Sequence, residues 1–581
     1  MLKRIVSGVM LTLLLLGMLT FAFNIQPTQL EPRTITVPDD YPIIQEAINE
    51  ASPTDTIYVR SGTYYENIIV NKTVSLIGEN RKSIIDGNGT ETVVHITANN
   101  VNITGFIIQN SGSSGKDSGI NIEGASGCTI SGNILINNSQ GIRLEDSRNN
   151  GIYDNVIDRA QAPGHTPYGH TYGIVLCVSS TNNIIINNTI INATIGISLK
   201  PSVGNNTIAD NILINHDGFY IWDSDNNIIT NNTIASIPEK GSRGIYLSDS
   251  DGNVFTSNTI TNSRLYGIQL FAAYDNVFKE NNVKDNYHGM YLEYSRRNII
   301  SQNNFTKNNN NGIYMKTSTY NTISGNNIAN NYCGIVVGSS SNYNSISENN
   351  ITANNRHGIE LIYSSNNSIY HNNFINNTAH VYVTPGYINN WDDGYPSGGN
   401  YWSDYAGVDL FSGPYQNETG SDGIGDTSYV IGENNTDRYP LMGPFNSFNT
   451  SVGYSVDVIS NSTIEDFRYF ESNSTIVVHV SNMTVNQTVG FCRLTIPHEL
   501  IAPPYNVTVN NTPVEYNTIL ENETLSIIYF TYEHSKLEII IVPEFPSIII
   551  LLLAIVFARF AIILTKRKTP RKTQINNSYS L

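Results

Sequence analysis

A four-residue pattern, Gly-Ile-x-Leu, recurs through residues 119–361 and limits the possible folds more than any other feature of the chain. The glycines that begin this pattern or a close variant of it follow one another at steps of 22 to 26 residues: Gly173, Gly196, Gly218, Gly244, Gly267, Gly289, Gly312, Gly334 and Gly358. No helical periodicity lies within a step. A repeat of this length without helices is typical of a solenoid, in which each repeat packs on its neighbours.

Each repeat contains three short apolar segments, for example 173–176, 183–186 and 188–190, separated by Asn, Ser and Gly. Strands this short bury one face only by winding around a common axis. The pattern therefore predicts an all-β chain built as a right-handed parallel β-helix, with coils roughly 4.8 Å apart. An Asn repeated at one corner is expected to bond to its copy on the next coil, and corner Asn and Gly residues suit left-handed backbone angles.

The two ends of the chain predict export and anchorage. Residues 1–23 carry Lys3-Arg4 and then an apolar run, which indicates a signal peptide, more consistent with cleavage than with retention. Residues 546–565 are apolar and residues 566–581 are basic, which predicts a transmembrane segment with a cytoplasmic tail. Roughly twenty Asn-x-Ser/Thr sites between them agree with an extracellular chain.

Charge and cysteine content exclude some classes of function. The net charge is −17 and basic residues cluster only at the extreme termini, which argues against a nucleic-acid partner. The four cysteines are far apart in the sequence and are interpreted as small buried residues. The seven methionines are scattered, so we expect no soft cluster of Cys, Met or His of the kind that copper prefers.

Residues 34–388 are assigned to the β-helix with an N-terminal cap. Within them, 41–51 has apolar residues on one helical face, and Asp40 is a candidate N-cap. A short helix here is expected to cover the open end of the first coil. The motifs "IQEAIN", "GTYYENI" and "LIG" resemble the start of pectin-methylesterase-like and NosD-type β-helix proteins.

Residues 389–445 form an Asp/Gly/Trp-rich segment after the last repeat. Its motifs "GGNYWSDY", "GSDGIGD" and "DRYPLM" resemble the segment that closes the β-helix in archaeal NosD-type surface proteins. That resemblance implies carbohydrate binding or processing, and for the namesake protein copper delivery to nitrous oxide reductase. The expected lack of a soft cluster disfavours the copper role here.

Aspartates of the same region are candidate Ca²⁺ ligands. Carboxylates spaced by glycines let a loop surround a hard cation with oxygen atoms. The alternative is that such aspartates cap backbone amides in turns. The candidate ligands are Asp404, Asp409, Asp422, Asp426 and Asp437.

Residues 446–541 alternate short strands with turns, which predicts a small β-sandwich that acts as a spacer or adhesive module. Pro543-Glu544-Phe545, the apolar run and the basic tail resemble the PEF-CTERM type of sorting signal. The resemblance implies a sorting enzyme that acts at Pro543–Phe545.

Candidate ligand-binding residues lie on the outer surface of the predicted helix. Because Ile and Leu of each quartet point inward, the x residue points outward, and four of these are tyrosines. Aromatic side chains on an outer sheet form a surface suited to sugar rings, although exposed strands also favour Tyr for structural reasons. An insertion between Gly141 and Gly173 adds two histidines on a loop. The candidates are Tyr220, Tyr246, Tyr291, Tyr314, Trp222, His165 and His170.

Two functions remain open from the sequence. The first is a cell-surface protein that binds carbohydrate or another envelope polymer. The second is a polysaccharide-active enzyme on the same scaffold, for which Glu123 and Glu145 provide an acidic pair and Arg143 and Lys200 provide cations. No catalytic motif of polygalacturonases or pectin methylesterases is present, which favours the first.

Overall fold

The computed structural model describes residues 31–158, 171–237, 241–533, 535–544 and 555–563, and the chain divides into two units, Met1–Gln269 and Leu270–Leu581. Most of it is a parallel β-helix of about 15 turns, which confirms the fold that the repeat predicts. Each turn contributes one strand to each of three parallel sheets, which we call sheets A, B and C.

The strands that begin in the first unit are three to six residues long. In sheet A they are Thr34–Val37, Thr56–Val59, Ser75–Gly78, Asn102–Thr104, Thr129–Ser131, Gly151–Tyr153, Ile184–Ile186, Thr207–Ala209, Ile228–Thr230 and Val254–Thr256. In sheet B they are Gly62–Tyr65, Ser83–Asp86, Phe106–Gln109, Ile134–Ile136, Val156–Asp158, Thr189–Ile191, Ile212–Asn215, Thr233–Ser236 and Thr259–Thr261. In sheet C they are Ile68–Val70, Val94–Ile96, Ser118–Glu123, Gln140–Glu145, Tyr172–Cys177, Ile195–Leu199, Asp217–Trp222, Arg243–Ser248 and Tyr266–Phe271.

The second unit continues the same three-strand repeat. Its sheet A strands are Val277–Lys279, Ile299–Ser301, Thr322–Ser324, Ser345–Ser347 and Ser368–Tyr370. Its sheet B strands are Asn282–Lys284, Asn304–Thr306, Asn327–Ala329, Asn350–Thr352, Asn373–Ile375 and Tyr401–Trp402. Its sheet C strands are His288–Glu293, Asn311–Lys316, Cys333–Gly338, His357–Ile362 and Ala379–Val383.

The quartet glycines are required by close packing between coils. A Cβ atom on Gly141 would lie 2.4 Å from the carbonyl oxygen of Gly173, and one on Gly334 would lie 2.4 Å from that of Gly358. Neither glycine has a positive φ angle. The left-handed corners are formed by other residues, and Asn and Asp, such as Asn187 and Asn330, make up about half of the non-glycine residues among them. The glycine of each quartet is therefore a spacing residue.

A short helix, Ile44–Glu50, lies near the start of the first unit and buries Ile44, Ala47 and Ile48. The prediction that Asp40 is the N-cap is wrong. The helix begins at Ile44, so Ile43 occupies the N-cap position, and its side chain makes no capping hydrogen bond. Glu66 performs this role, accepting the backbone N–H groups of Ile44 at 2.9 Å and Gln45 at 3.0 Å. The motif "GTYYENI" thus supplies the acceptor for the first turn of "IQEAIN".

Residues 401–437 contain two hairpins, Phe411–Ser412 with Glu418–Thr419 and Tyr429–Gly432 with Asn435–Asp437. After them come two five-stranded antiparallel sheets whose inner residues form one cluster of buried apolar side chains. The first sheet contains Phe445–Asn449, Ser455–Ser460, Val489–Pro497, Leu525–Glu533 and Asn517–Glu521. The second contains Ser462–Phe470, Thr475–Asn482, Leu537–Pro543, Tyr505–Val509 and Thr512–Pro513, and a 3₁₀ turn spans Glu471–Asn473.

Residues 555–563 are helical, and within the described ranges no helix is long and apolar enough to cross a membrane. The rest of the predicted transmembrane segment 546–565 lies outside the described residues, as do the signal peptide 1–23 and the tail 566–581.

Candidate functional site

Sheet C carries the x residue of each quartet on its outer surface. In the first unit these residues are in register from coil to coil: Arg143 pairs with Val175, Val175 with Ser198, Ser198 with Tyr220 and Tyr220 with Tyr246. The flanking Ile and Leu residues are fully buried in the interior of the helix. The alternation predicted from the quartet is therefore present.

The x residues on this outer surface are more buried than the sequence predicts. Val175 and Ser198 are fully buried although they point away from the core, and Arg143 is only 6% exposed. Tyr220 and Tyr246 are half-buried, and Trp222 at the edge of the strand is 46% exposed. Tyr220 and Tyr246 are therefore only partly accessible to a ligand.

Aromatic rings and cations alternate in the first-unit part of this surface. The rings of Tyr220 and Tyr246 lie 5.2 Å apart with a 43° tilt, and the Arg243 guanidinium lies 4.8 Å from the Tyr246 ring centroid. The Lys200 ammonium lies 4.3 Å from the centroid of Tyr172. Cations over ring faces are attracted by the ring quadrupole. We call Tyr172, Lys200, Tyr220, Arg243 and Tyr246 the aromatic–cationic patch.

Burial lowers the pKa of Lys200, and repulsion from Arg143 lowers it further. The Lys200 ammonium therefore loses its proton more readily than an exposed lysine. Tyr172 was not singled out from the sequence, although its place directly before the glycine of a quartet puts it beside the x residue of the same strand.

The acidic pair predicted beside this patch is engaged with basic groups. Glu123 and Glu145 face each other in register on neighbouring coils. Glu145 contacts Arg143 at 2.9 Å and Lys116 at 3.2 Å, while Glu123 contacts His95 at 2.8 Å. Burial opposes ionisation of Glu145, but its bonds to Arg143 and Lys116 hold its pKa below the ordinary value. Glu145 is therefore negatively charged.

In the second unit, Tyr291 and Tyr314 also form a pair, with ring centroids 5.2 Å apart and a 58° tilt. Tyr291 is only 6% exposed, so the expectation that it forms an exposed surface is wrong. Tyr314 is half-buried and lies 6.2 Å from the His288 ring. Burial lowers the pKa of His288 to about 4, so this imidazole is neutral at physiological pH.

Further along sheet C, the structure brings together three side chains that the sequence analysis did not connect. The Nδ1 atom of His357 lies 2.5 Å from Oε1 of Glu360, and Sγ of Cys333 lies 3.4 Å from the same oxygen. The group combines one thiol and one imidazole with a carboxylate, so it is not a cluster of soft ligands alone, and the expectation that no such cluster exists stays a prediction. The available signal was that Cys333 and His357 each come directly before a quartet glycine, which gives them equivalent places on successive coils.

The five aspartates of the closing segment mainly accept hydrogen bonds from nearby groups. Asp409 accepts the N–H groups of Asp422 and Gly423, and Asp426 those of Leu410 and Phe411. Asp422 accepts the N–H of Ile424 at 3.0 Å, and Asp404 the hydroxyl of Tyr429 at 3.2 Å. This is the arrangement of the capping alternative. Over the described ranges, no three of these five offer oxygens close enough together to share an ion.

Asp437 is fully buried and accepts three hydrogen bonds. It accepts the backbone N–H of Asn400 and the indole N–H of Trp402, each at 2.8 Å, and the N–H of Tyr439 at 3.1 Å. Burial raises the pKa of Asp437 to about 7 against the effect of these donors, and burial likewise raises that of Asp409 to about 7. Calcium binding by the segment stays a prediction. His165 and His170 lie outside the described residues.

A protein-family model described as "Periplasmic copper-binding protein (NosD)" matches residues 48–213, 166–273 and 239–407. These overlapping matches span more than half of the 581 residues. A cell surface glycoprotein of Methanothermus fervidus is 37% identical over 129 residues, which is 22% of this chain and 21% of the relative. The chain thus matches about a fifth of that relative's length.

Among solved structures, a mannuronic-acid-specific polysaccharide family 6 lyase from human gut microbiota matches with 14% identity and a TM-score of 0.40, over 57% of this chain and 87% of the lyase. The periplasmic alginate epimerase AlgG matches with 14% identity and a TM-score of 0.35, over 60% of this chain and 83% of the epimerase. These similarities concern the fold alone.

Proposed function

The chain belongs to the NosD family, and from that premise we propose that it is a cell-surface protein that binds an envelope polysaccharide through the outer surface of sheet C. The similarity to a cell surface glycoprotein supports an extracellular location, and so do the Asn-x-Ser/Thr sequences and the predicted signal peptide.

The observation that carries the proposal is the aromatic–cationic patch. Tyr220 and Tyr246 present ring surface beside hydroxyl groups, and apolar faces with polar rims suit the two sides of a sugar ring. Lys200 and Arg243 add positive charge to a protein whose net charge is −17. This local charge favours a polysaccharide that carries carboxylate or sulfate groups.

The test is a glycan array with the secreted chain and with the double variant Tyr220→Ala, Tyr246→Ala. We expect the variant to bind at least about tenfold more weakly, because both ring surfaces are lost. The matched control removes Tyr320 and Tyr343, an exposed stacked pair whose centroids lie 5.3 Å apart. Equal loss in the control, or no loss in the test variant, would contradict the proposal.

One observation favours an enzyme as a second candidate. Lys200, with its lowered pKa, lies beside Tyr172 and within the field of Arg143, and a lysine of this kind is suited to take a proton from a sugar carbon next to a carboxylate. The same preparations are therefore assayed for new reducing ends and unsaturated products, with and without Ca²⁺. Products that disappear in Lys200→Met, with glycan retention unchanged, would favour the enzyme.

The remaining predictions concern attachment and the ends of the helix. We propose that the helix Ile44–Glu50 covers the first coil, and that the two antiparallel sheets act as a β-sandwich spacer. Membrane attachment through 546–565 and cleavage by a sorting enzyme at Pro543–Phe545 stay predictions, tested by mass spectrometry of the C-terminus of the native protein. A rise in Tm on adding Ca²⁺ would support calcium binding at the closing segment.

A further inference from the structure

The cluster of Cys333, His357 and Glu360 combines three kinds of metal-binding atom at one point on the outer surface of sheet C. The thiol sulfur, the imidazole Nδ1 and a carboxylate oxygen all lie within 4.8 Å of one another. Cys333 is 1% exposed and Glu360 is 4% exposed, whereas the side chain of His357 is 16% exposed. The site is thus nearly closed to solvent and is approached from the imidazole side.

An ion pair accounts for part of this arrangement. Arg356 Nη1 lies 3.2 Å from Glu360 Oε1, and the His357 imidazole contacts the same oxygen. These contacts neutralise the buried carboxylate, and the Cys333 thiol donates a further hydrogen bond to the same oxygen at 3.4 Å. Burial and the Glu360 carboxylate raise the pKa of Cys333 to about 12, so ionisation of the thiol is costly in the metal-free protein. A bound cation would reverse that cost.

The distances suit a tetrahedral ion with one adjustment. Typical Zn–S and Zn–N bonds of about 2.3 and 2.0 Å place neighbouring ligand atoms roughly 3.3 to 3.8 Å apart. The Cys333 Sγ to Glu360 Oε1 distance of 3.4 Å already meets this requirement. The 2.5 Å separation between His357 and Glu360 is a hydrogen bond and must open by about 1 Å. His357 is the most exposed of the three, so it has the most freedom to move.

We propose that Cys333, His357 and Glu360 bind a thiophilic transition-metal ion, Zn²⁺ or Cu⁺, through Sγ, Nδ1 and a carboxylate oxygen. Thiolate and imidazole are ligands that both ions favour, whereas Ca²⁺ and Mg²⁺ prefer oxygen. Three protein ligands leave a fourth position for solvent or an exchanging ligand, an arrangement that suits a reversible site. Metal binding releases the thiol proton to solvent.

The test is a titration of the metal-free full-length protein with Co²⁺, which gives a thiolate-to-metal charge-transfer band when a cysteine binds it. We expect one equivalent of Co²⁺ to produce the band, and Zn²⁺ or Cu⁺ to displace it. Cys333→Ser should abolish the band and weaken Zn²⁺ binding at least about tenfold, since one of three ligands is lost. The control Cys128→Ser removes a buried thiol elsewhere and should leave both unchanged.

Glu360→Gln provides a second variant of nearly unchanged volume, in case Cys333→Ser fails to fold. It should keep the band and weaken Zn²⁺ binding at least about tenfold. A wild-type protein without a charge-transfer band would overturn the proposal. So would a Cys333→Ser variant that binds as the wild type does, or a band that is lost equally in Cys128→Ser.

Discussion

At the scale of single residues, asparagine ladders organise the corners of the coils. Asn326 Oδ1 accepts the backbone N–H of Asn303 at 2.8 Å and its side-chain amide at 3.0 Å. The Asn326 amide donates to the carbonyl of Ile300 at 2.8 Å and to Asn349 Oδ1 at 2.9 Å. Asn side chains thus satisfy backbone and side-chain groups on neighbouring coils. This confirms the corner bonding expected from the repeat.

Loss of the side-chain amide donor at a ladder position should therefore destabilise the protein. Asn326→Asp replaces the buried amide with a carboxylate directed at two acceptor oxygens, and we expect it to lower the free energy of unfolding by about 3 to 5 kcal/mol. Asn327→Asp is the matched control, because Asn327 is exposed. Chemical denaturation measures both. A cost for Asn326→Asp no larger than that for Asn327→Asp would contradict the prediction.

Asp437 predicts a pH dependence. Its folded pKa of about 7 lies above its ordinary value of 3.8, so the folded protein binds more protons than the unfolded chain between these values. The contribution of this group is therefore greatest at low pH and is lost as pH rises through about 7. We expect a lower urea midpoint at pH 8 than at pH 5, and a smaller difference in Asp437→Asn. An unchanged difference in the variant would show that Asp437 does not cause it.

At the scale of elements, the N-terminal helix depends on an acceptor from a later part of the chain. Glu66→Ala removes the carboxylate that accepts two N–H groups of the first turn. We expect a loss of about 1 to 2 kcal/mol in the free energy of unfolding, the usual cost of losing an N-cap. Glu46→Ala, an exposed change in the same helix, should cost within about 0.5 kcal/mol. Equal effects would mean that Glu66 does not cap the helix.

The same element shows what the sequence can and cannot predict. The spacing of Ile44, Ala47 and Ile48 predicts the buried face, because helical periodicity is local. The cap could not be found in this way: Glu66 is 22 residues from Ile44, and only the stacking of coils brings it near. Asp40, the nearest residue of the right type, instead accepts the N–H of Thr36 at 2.7 Å.

The sequence also predicts the candidate binding sites only in part. The quartet predicts which residues leave the core, but not how deeply the neighbouring side chains bury them, so Tyr291 was expected to be exposed and is not. The cluster at Cys333 depends on the register between coils, which is fixed once the glycines are aligned. An alignment of the residues that precede the quartet glycines places Cys333 beside His357, although the two residues are far apart in the sequence.

At the scale of the whole molecule, the problem that remains is how the stack of coils ends. In the second unit, Trp402 stacks on Phe374 at 4.4 Å and on Tyr429 at 4.3 Å. Two ladders end on residues of the same hairpin: Asn435 accepts the N–H of Asn389 and Asp437 that of Asn400. The closing segment therefore covers apolar surface and supplies Asn389 and Asn400, which accept the backbone N–H groups of Asn367 and Asn372 at the ends of these ladders.

A chain that ends at residue 388 should lose this protection and associate with copies of itself. Its last coil would expose strand edges, which can pair with strands of another molecule. It would also expose the ring of Phe374, which Trp402 covers in the full chain. We expect light scattering to report oligomers that grow with concentration. A chain that ends at residue 446 keeps the closing segment and lacks most of the two antiparallel sheets, so it should stay monomeric. Monomers in both truncations would mean that the last coil needs no cover, whereas oligomers in both would assign the protection to the antiparallel sheets.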